Sequence, residues 1–438
     1  LQKYGGNGEL IHEFFKPLKN DPDFLNKFSK FNKDSHGLKS YEKYKGQTIG
    51  ELETARGCVA RCTFCQRYQK GYRPYSENIL ENHILNLKEK YNVRFFDLID
   101  ENFGSNRKQS YEVARLMKKH NVFWQAGGVR CTSVTYEDLK FYREHNLLWI
   151  KFGIESGSQK ILDIMEKKFT TKNVYNAISN CKKLGIAVSP DVLMLAMPGE
   201  TRETVIESTQ FNASLRHLLE MDWNMGNPFL AMAIPGTPLY EYCQQIGVIG
   251  KTLEEEEDYL IRMSEHGVTP ILNYLNKTNS SNKEVHYWKY LYVYAGKKAY
   301  VDLIIKNNKS IKNMLSQIYE RCIKGSFNDL IVDFHKRKES YKNKKLSQKM
   351  KWHASLLINF LLSLSVLFLP KAVLFPIVRV YADLRLYFLA KNHKRSTGKQ
   401  KHNLFIDRRD DSANGLRISE NRIAKKSRQV ERSLRNIV

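Results

Sequence analysis

The chain has 438 residues and carries 71 Lys or Arg against 46 Asp or Glu, a formal charge of +25. That length can bury two or three domain cores, and 42% hydrophobic with 12% aromatic content excludes global disorder. So basic a chain favours anionic partners, either nucleic acid or acidic lipid, unless the charge only reflects Lys-rich surfaces. Of seven cysteines, three crowd into one short stretch, while Cys131, Cys181, Cys243 and Cys322 are scattered without a spacing pattern. This argues against a disulfide framework and for a reducing, cytoplasmic compartment. The chain opens on Leu1, shows no secretory signal, and is expected to begin inside a longer protein.

Residues 1–47 are polar with short apolar islands and read as a linker or N-terminal extension with one or two short helices. From Thr48, TIGELETA reads as a strand running into GCVARCTFC. A repeating alternation follows. Helix Glu77–Tyr91 precedes strand VRFFDLID, Arg107–His120 precedes VFWQAGG, and Tyr136–Asn146 precedes LLWIKFGIES. Helix Val174–Leu184, opening after Thr170 and Thr171, precedes IAVSPDVLML, and Thr201–Leu219 precedes a sixth strand within Asp222–Ile234. Such alternation predicts βαβ units and a parallel sheet across residues 48–250. Right-handed crossovers then bring every strand's C-terminal end to one edge, where α/β proteins place their chemistry. The cysteine loop, Asp100–Gly104, Arg130, Gly153–Ser158 and Pro198–Glu200 all fall there.

Residues 251–350 read as a smaller, Lys-rich helical unit, and no solenoid repeat is present. Ala354–Leu369 is uncharged, but it falls short of the ~20 apolar residues of a spanning helix and is interrupted by Pro370-Lys371. With lysines on both flanks, residues 351–390 are expected to form an interfacial or re-entrant hairpin against an anionic, cytoplasmic membrane face, or else a helical pair packed on the core. From Lys391 to Val438 there are 14 basic and 5 acidic residues, a basic tail that would strengthen attraction to such lipid.

The most specific signal is Cys58-Val-Ala-Arg-Cys62-Thr-Phe-Cys65, a C-x3-C-x2-C loop. Thiolates are the usual ligands of iron–sulfur clusters, and three on one loop leave a fourth iron open for chemistry. The competing readings are a zinc site with a distant fourth ligand, for which no second cysteine knuckle exists, and buried structural cysteines. Around the loop, Asp100 and Glu101 offer charge-assisted acceptors or, more plainly, a turn and helix cap. Arg130 can pair with a carboxylate or form a surface ion pair. Glu155 can accept hydrogen bonds in a glycine-bracketed turn, and Thr201 reads as the cap of the helix after MPGET.

With Phe64 before the last cysteine, the loop resembles the C-x3-C-x-Φ-C signature of the radical S-adenosylmethionine (SAM) superfamily. The resemblance implies a partial (β/α)6 barrel and a [4Fe-4S] cluster whose open iron is chelated by SAM. One-electron reduction then yields methionine and a 5′-deoxyadenosyl radical that abstracts hydrogen from substrate. It further implies that Asp100-Glu101-Asn102-Phe103 meets the SAM amino group, that Glu155 and Ser156 contact SAM, and that MPGET lies near the adenine. Arg130 is then a candidate for the SAM carboxylate. An electron donor such as a flavodoxin or ferredoxin and a small-molecule or lipid-like substrate are implied as partners.

Together ARGC, DENF, GIESG, MPGET and PGTPLY resemble the branch that usually carries an N-terminal cobalamin-binding domain, which includes methyltransferases and an anaerobic cyclase. The resemblance covers roughly residues 48–243. The cobalamin motif D-x-H-x-x-G fails here, because Asp34-Ser35-His36 is followed by Gly37-Leu38-Lys39. Cobalamin is therefore expected to bind upstream of Leu1 or not at all. A methylthiotransferase needs three further cysteines upstream of Cys58, where none occurs. A tRNA-modifying enzyme is permitted by the charge, but no RNA-binding module is legible, so nucleic acid is not the expected partner. An electron-carrying iron–sulfur protein would want a fourth grouped cysteine.

Overall fold

The structure is a computed structural model that describes residues 49–66, 71–190, 194–221, 223, 225–264, 274–307, 311–312, 314–316, 318 and 346–396. The expected N-terminal extension and the tail beyond Ser396 lie outside these residues.

Five strands form one parallel sheet: β1 (Ile49–Leu52), β4 (Phe95–Leu98), β5 (Phe123–Val129), β6 (Leu147–Phe152) and β7 (Ala187–Val188), in that order. Each new strand is added at the same edge. This is the order of a barrel, whereas doubly wound sheets reverse direction at a switch point. Between the strands run α1 (Glu77–Tyr91), α2 (Arg107–Lys119), α3 (Tyr136–Glu144), the short α4 (Gln159–Ile164) and α5 (Thr171–Leu184). The fifth expected strand breaks at Ser189-Pro190, where proline has no N–H for a ladder. It resumes as β8 (Met194–Leu195), which pairs in parallel with β9 (Phe229–Leu230) after α6 (Arg202–Leu218). All six expected strands are therefore present, but they form an open five-stranded sheet and a separate pair. Met194 N donates to Glu155 O at 3.1 Å, which ties the pair back to the end of β6.

The helices start where capping chemistry says they should. Thr135, Thr170 and Thr201 each close a capping box, with Asp138, Asn173 and Thr204. Under the sheet, Trp124, Phe103 and Tyr142 pack edge-on with ring centroids 5.5–5.8 Å apart. The indole of Trp124 is fully buried, and its Nε1 donates to His145 O at 2.7 Å.

Beyond β9 come α7 (Pro238–Gln245), α8 (Leu253–Ser264) and the long α9 (Asn282–Lys306). Helix α9 is buried nearly all round. Trp288, Leu291 and Tyr292 sit in a second core with α6, and Asn212 Nδ2 donates to Tyr292 Oη at 2.7 Å. Two further helices, α10 (Leu346–Phe368) and α11 (Lys371–Ser396), cover α9 and meet at Pro370. Ion pairs pin α11 in place: Lys283–Asp383 at 3.0 Å, Lys371–Asp302 at 3.1 Å, and Arg379–Glu284. Among the described residues no helix is long and apolar enough to cross a membrane.

Candidate functional site

The cysteine loop leaves the sheet through a small antiparallel clip, β2 (Ala55–Arg56) against β3 (Arg73–Pro74). Asp100, at the end of β4, holds the entry. Its carboxylate accepts from Thr54 N at 2.6 Å, Thr54 Oγ1 at 2.5 Å and Ala55 N at 3.3 Å. Gln109 Nε2 donates to Thr54 Oγ1 at 3.0 Å, and Tyr72 Oη donates to Gln109 Oε1 at 2.8 Å, so entry and exit share one network. Burial pushes the Asp100 carboxyl up to about 6, against the pull of its three donors. Its neighbour Glu101 is exposed; partial desolvation and the nearby Glu53 carboxylate raise its pKa, with Arg73 opposing.

Inside the loop, Gly57 takes a left-handed conformation (φ +85°) that starts the turn. Cys58 is half-buried, Cys62 buried and Cys65 exposed, and all three are free thiols. Between them, Thr63 bolts the loop to the body. Its N–H donates to Met165 O at 3.0 Å, its hydroxyl donates to Ile164 O at 3.0 Å, and its carbonyl accepts from Leu239 N at 2.9 Å. Phe64 packs half-buried against an apolar floor that includes Ile164, Met197 and Leu239.

Three charged side chains complete the surroundings. Arg130 Nη1 lies 3.7 Å from Cys62 Sγ, its Nη2 donates to Lys167 O, and its guanidinium stands 5.5 Å from the Phe169 ring centre. Lys167 is buried, with Nζ 3.4 Å from Glu155 Oε1 and 5.6 Å from the Phe64 ring centre. Glu155 adopts φ +68°, and a Cβ on Gly153 would sit 3.1 Å from its Oε1, close enough to push that carboxylate aside by a few tenths of an ångström. Desolvation and the neighbouring Cys62 and Cys58 push the Cys65 thiol up to about 11, while Lys167 pulls the other way.

Ser156 is different. It is fully buried, its Oγ lies 3.2 Å from Ser208 Oγ on α6, and Gly157 N donates to the same Ser208 hydroxyl at 3.1 Å. It therefore fastens the GIESG turn to α6. Next to Glu101, Asn102 is buried with neither amide atom hydrogen-bonded, a cost that a bound polar group could relieve. After β8, Glu200 accepts from Ala196 N and from Met197 N at 3.2 Å. Burial raises its carboxyl to about 8 and lowers the nearby ammonium of Lys277 to about 8. That ammonium donates to Ala231 O and to Tyr274 Oη at 2.8 Å, and Tyr274 Oη donates to Ala196 O at 3.0 Å. The backbones of β8 and β9 are thus braced from the helical side.

The structure brings Cys62, Phe64, Arg130 and Glu155 together and adds Lys167, which sequence reasoning missed. Asp100 and Ser156 lie at the same edge with their side chains engaged by the protein itself. Nothing in the Lys167-Lys168 pair sets one lysine apart; only the fold shows which is buried. The donor set suits an iron–sulfur cluster: three soft thiols with cations beside them. Among the described residues no three His, Cys, Asp or Glu side chains stand close enough to hold a single metal ion.

A model of the radical SAM superfamily matches residues 52–211. The chain is 26% identical over 246 residues to an uncharacterised methyltransferase of Pyrococcus horikoshii, covering 55% of this chain and 50% of that protein. It is 26% identical over 227 residues to the cytidylyl-2-hydroxyethylphosphonate methyltransferase of Streptomyces wedmorensis, covering 50% of this chain and 41% of that one. Among solved structures, a cobalamin-dependent SAM radical enzyme, OxsB, with aqua-cobalamin and SAM bound, matches at 15% identity and a TM-score of 0.44. The match covers 91% of this chain and 60% of that one. The chain spans about half the length of the curated relatives it matches.

Proposed function

Residues 52–211 are a radical SAM domain, and on that premise we propose that this protein cleaves SAM reductively and so starts a radical modification of a small or lipid-like substrate. The observation that carries the proposal is a C-x3-C-x2-C loop whose Cys62 thiol lies beside Arg130, with Lys167 against Glu155 and Phe64, at the C-terminal edge of the sheet. In this reading Cys58, Cys62 and Cys65 hold a [4Fe-4S] cluster, which when bound supplies the electron that SAM receives. The chain's own residues then bind and orient. Lys167 and Arg130 present positive charge to the SAM carboxylate, and Glu101 accepts from its ammonium group. Asp100, spent on Thr54 and Ala55, keeps the loop in register. Glu155 takes the ribose hydroxyls while Ser156 holds its turn against α6. Phe64 closes the floor.

The relatives named methyltransferases support methyl transfer as the outcome, with cyclisation or oxidation as other uses of the same start. Methyl transfer would draw on cobalamin as a further cofactor. A flavodoxin or ferredoxin is the proposed electron source.

Anaerobic reconstitution with iron and sulfide, followed by SAM and dithionite, tests the core of this. The expected result is a cluster absorption spectrum and 5′-deoxyadenosine in the product mixture. Iron-loaded protein that releases none would sink the proposal.

A further inference from the structure

Helices α10 and α11 are buried on one side and bare on the other. Leu362 and Val366 of α10, and Leu374, Val378 and Ala382 of α11, pack into the core around α9. On the far side of α11, Val373, Ile377, Val380, Leu384 and Phe388 repeat every three or four residues and are 39–60% exposed. That spacing draws one continuous stripe along a helix. Helix α10 adds Leu357, Leu361 and Phe368, each more than half exposed. Patches of this extent on a folded surface mark an interaction site.

Charge indicates what covers it. From Leu346 to Ser396 the sequence holds eight Lys or Arg and a single acidic residue, Asp383, paired with Lys283 and Arg379; two of the eight, Lys371 and Arg379, are themselves engaged by Asp302 and Glu284 of α9. The residues that follow to Val438 are basic again. A second copy docked face to face would bring two such net-positive segments together. An anionic surface would be drawn to them instead. Exposed apolar stripes in a net-positive stretch of sequence, with no described helix long and apolar enough to cross a membrane, suit contact with the headgroup layer.

We propose that the outer face of α10 and α11 docks on an anionic membrane surface, with Val380, Leu384 and Phe388 entering the acyl boundary. The inference is independent of the radical chemistry, and binding is measured without turnover, so either can fail alone.

The test is vesicle flotation of the full chain with phosphatidylcholine alone and with equal parts phosphatidylglycerol and phosphatidylcholine. A variant combining Val380→Ser, Leu384→Ser and Phe388→Ser is run beside it, with thermal melting and light scattering on both proteins. The expected results are binding to the anionic vesicles and weak binding to the neutral ones. The variant should float at least about tenfold less at an unchanged melting temperature. Absence of anionic-vesicle binding would overturn the proposal. So would equal binding by the variant, which would mean charge alone is at work, or a dimer that the substitutions split while vesicles bind neither protein.

Discussion

The cysteine-bearing edge of the sheet and the C-terminal helices spend their polar and apolar groups in opposite ways. At the sheet edge several polar side chains are committed to the protein itself: Asp100 to Thr54 and Ala55, Ser156 to Ser208, and Arg130 to Lys167, while the buried Asn102 amide is left open. Arg130 stands beside the Cys62 thiol, and Lys167 lies between Glu155 and Phe64. In the helical unit the ion pairs sit at the seam between α9 and α11, and the outer apolar stripe is exposed among the described residues. One region is built for precision of placement, which costs buried polar contacts. The other is anchored on a single side and leaves a face open.

That contrast can be broken or sharpened by experiment, beginning where the effect is largest. Cys58→Ala should lose the cluster and with it all 5′-deoxyadenosine formation, read as iron content and product per chain. Retained iron with undiminished product would remove the cysteine loop from the chemistry. In the sheet's core, Trp124→Ala should cost about 3–5 kcal/mol by denaturant unfolding, since it empties a fully buried indole site and strands His145 O. A loss under half of that would mean the site collapses readily.

Glu200 gives a pH signature. Its folded carboxyl titrates near 8, above the ordinary 4.5, so the folded state holds a proton that the unfolded chain has released between those values. Stability from this group is fully present below about pH 4.5 and is lost as pH rises through about 8. Glu200→Gln keeps an oxygen acceptor for Ala196 N and Met197 N, and should flatten that slope by on the order of 2 kcal/mol. Parallel profiles for the two proteins would place the titration elsewhere. Lys167→Gln should weaken SAM binding to the reconstituted protein about tenfold, equivalent to ~1.4 kcal/mol, measured by equilibrium dialysis. Unchanged affinity would leave the lysine as a brace for Glu155 alone. Smallest of all, Leu384→Ser should shift stability by less than about 0.5 kcal/mol despite removing a large apolar group, because it already faces solvent. A larger loss would show that the outer face is packed after all.

Much of the sheet was legible because its signals are local. Period and length mark VRFFDLID and LLWIKF as strands, and Thr135, Thr170 and Thr201 announce the helices that follow. The C-x3-C-x2-C spacing is itself a feature of the sequence. What could not be read depends on distance in the chain. Asp100 stands at the strand end foreseen for it, yet only the fold brings Thr54, 46 positions away, onto its carboxylate. Lys167 gains meaning through Glu155 and Phe64, and Lys277 through Ala231. The break of the fifth strand hinges on Pro190 inside a run that otherwise looks continuous. The two-residue strands of the β2–β3 clip are too short for any period to reveal.

That clip makes the thiol loop a hoop with a closed neck. Its ends meet at Ala55↔Pro74 and Arg56↔Arg73, so a change in the length of the hoop is not passed on to the register of β1 against β4. Enlarging such a hoop is inexpensive, since doubling a flexible segment adds only about 0.6 kcal/mol of closure entropy. The rim of the sheet can therefore acquire longer or shorter hoops, with different side chains at the crown, while the strands beneath keep their alignment.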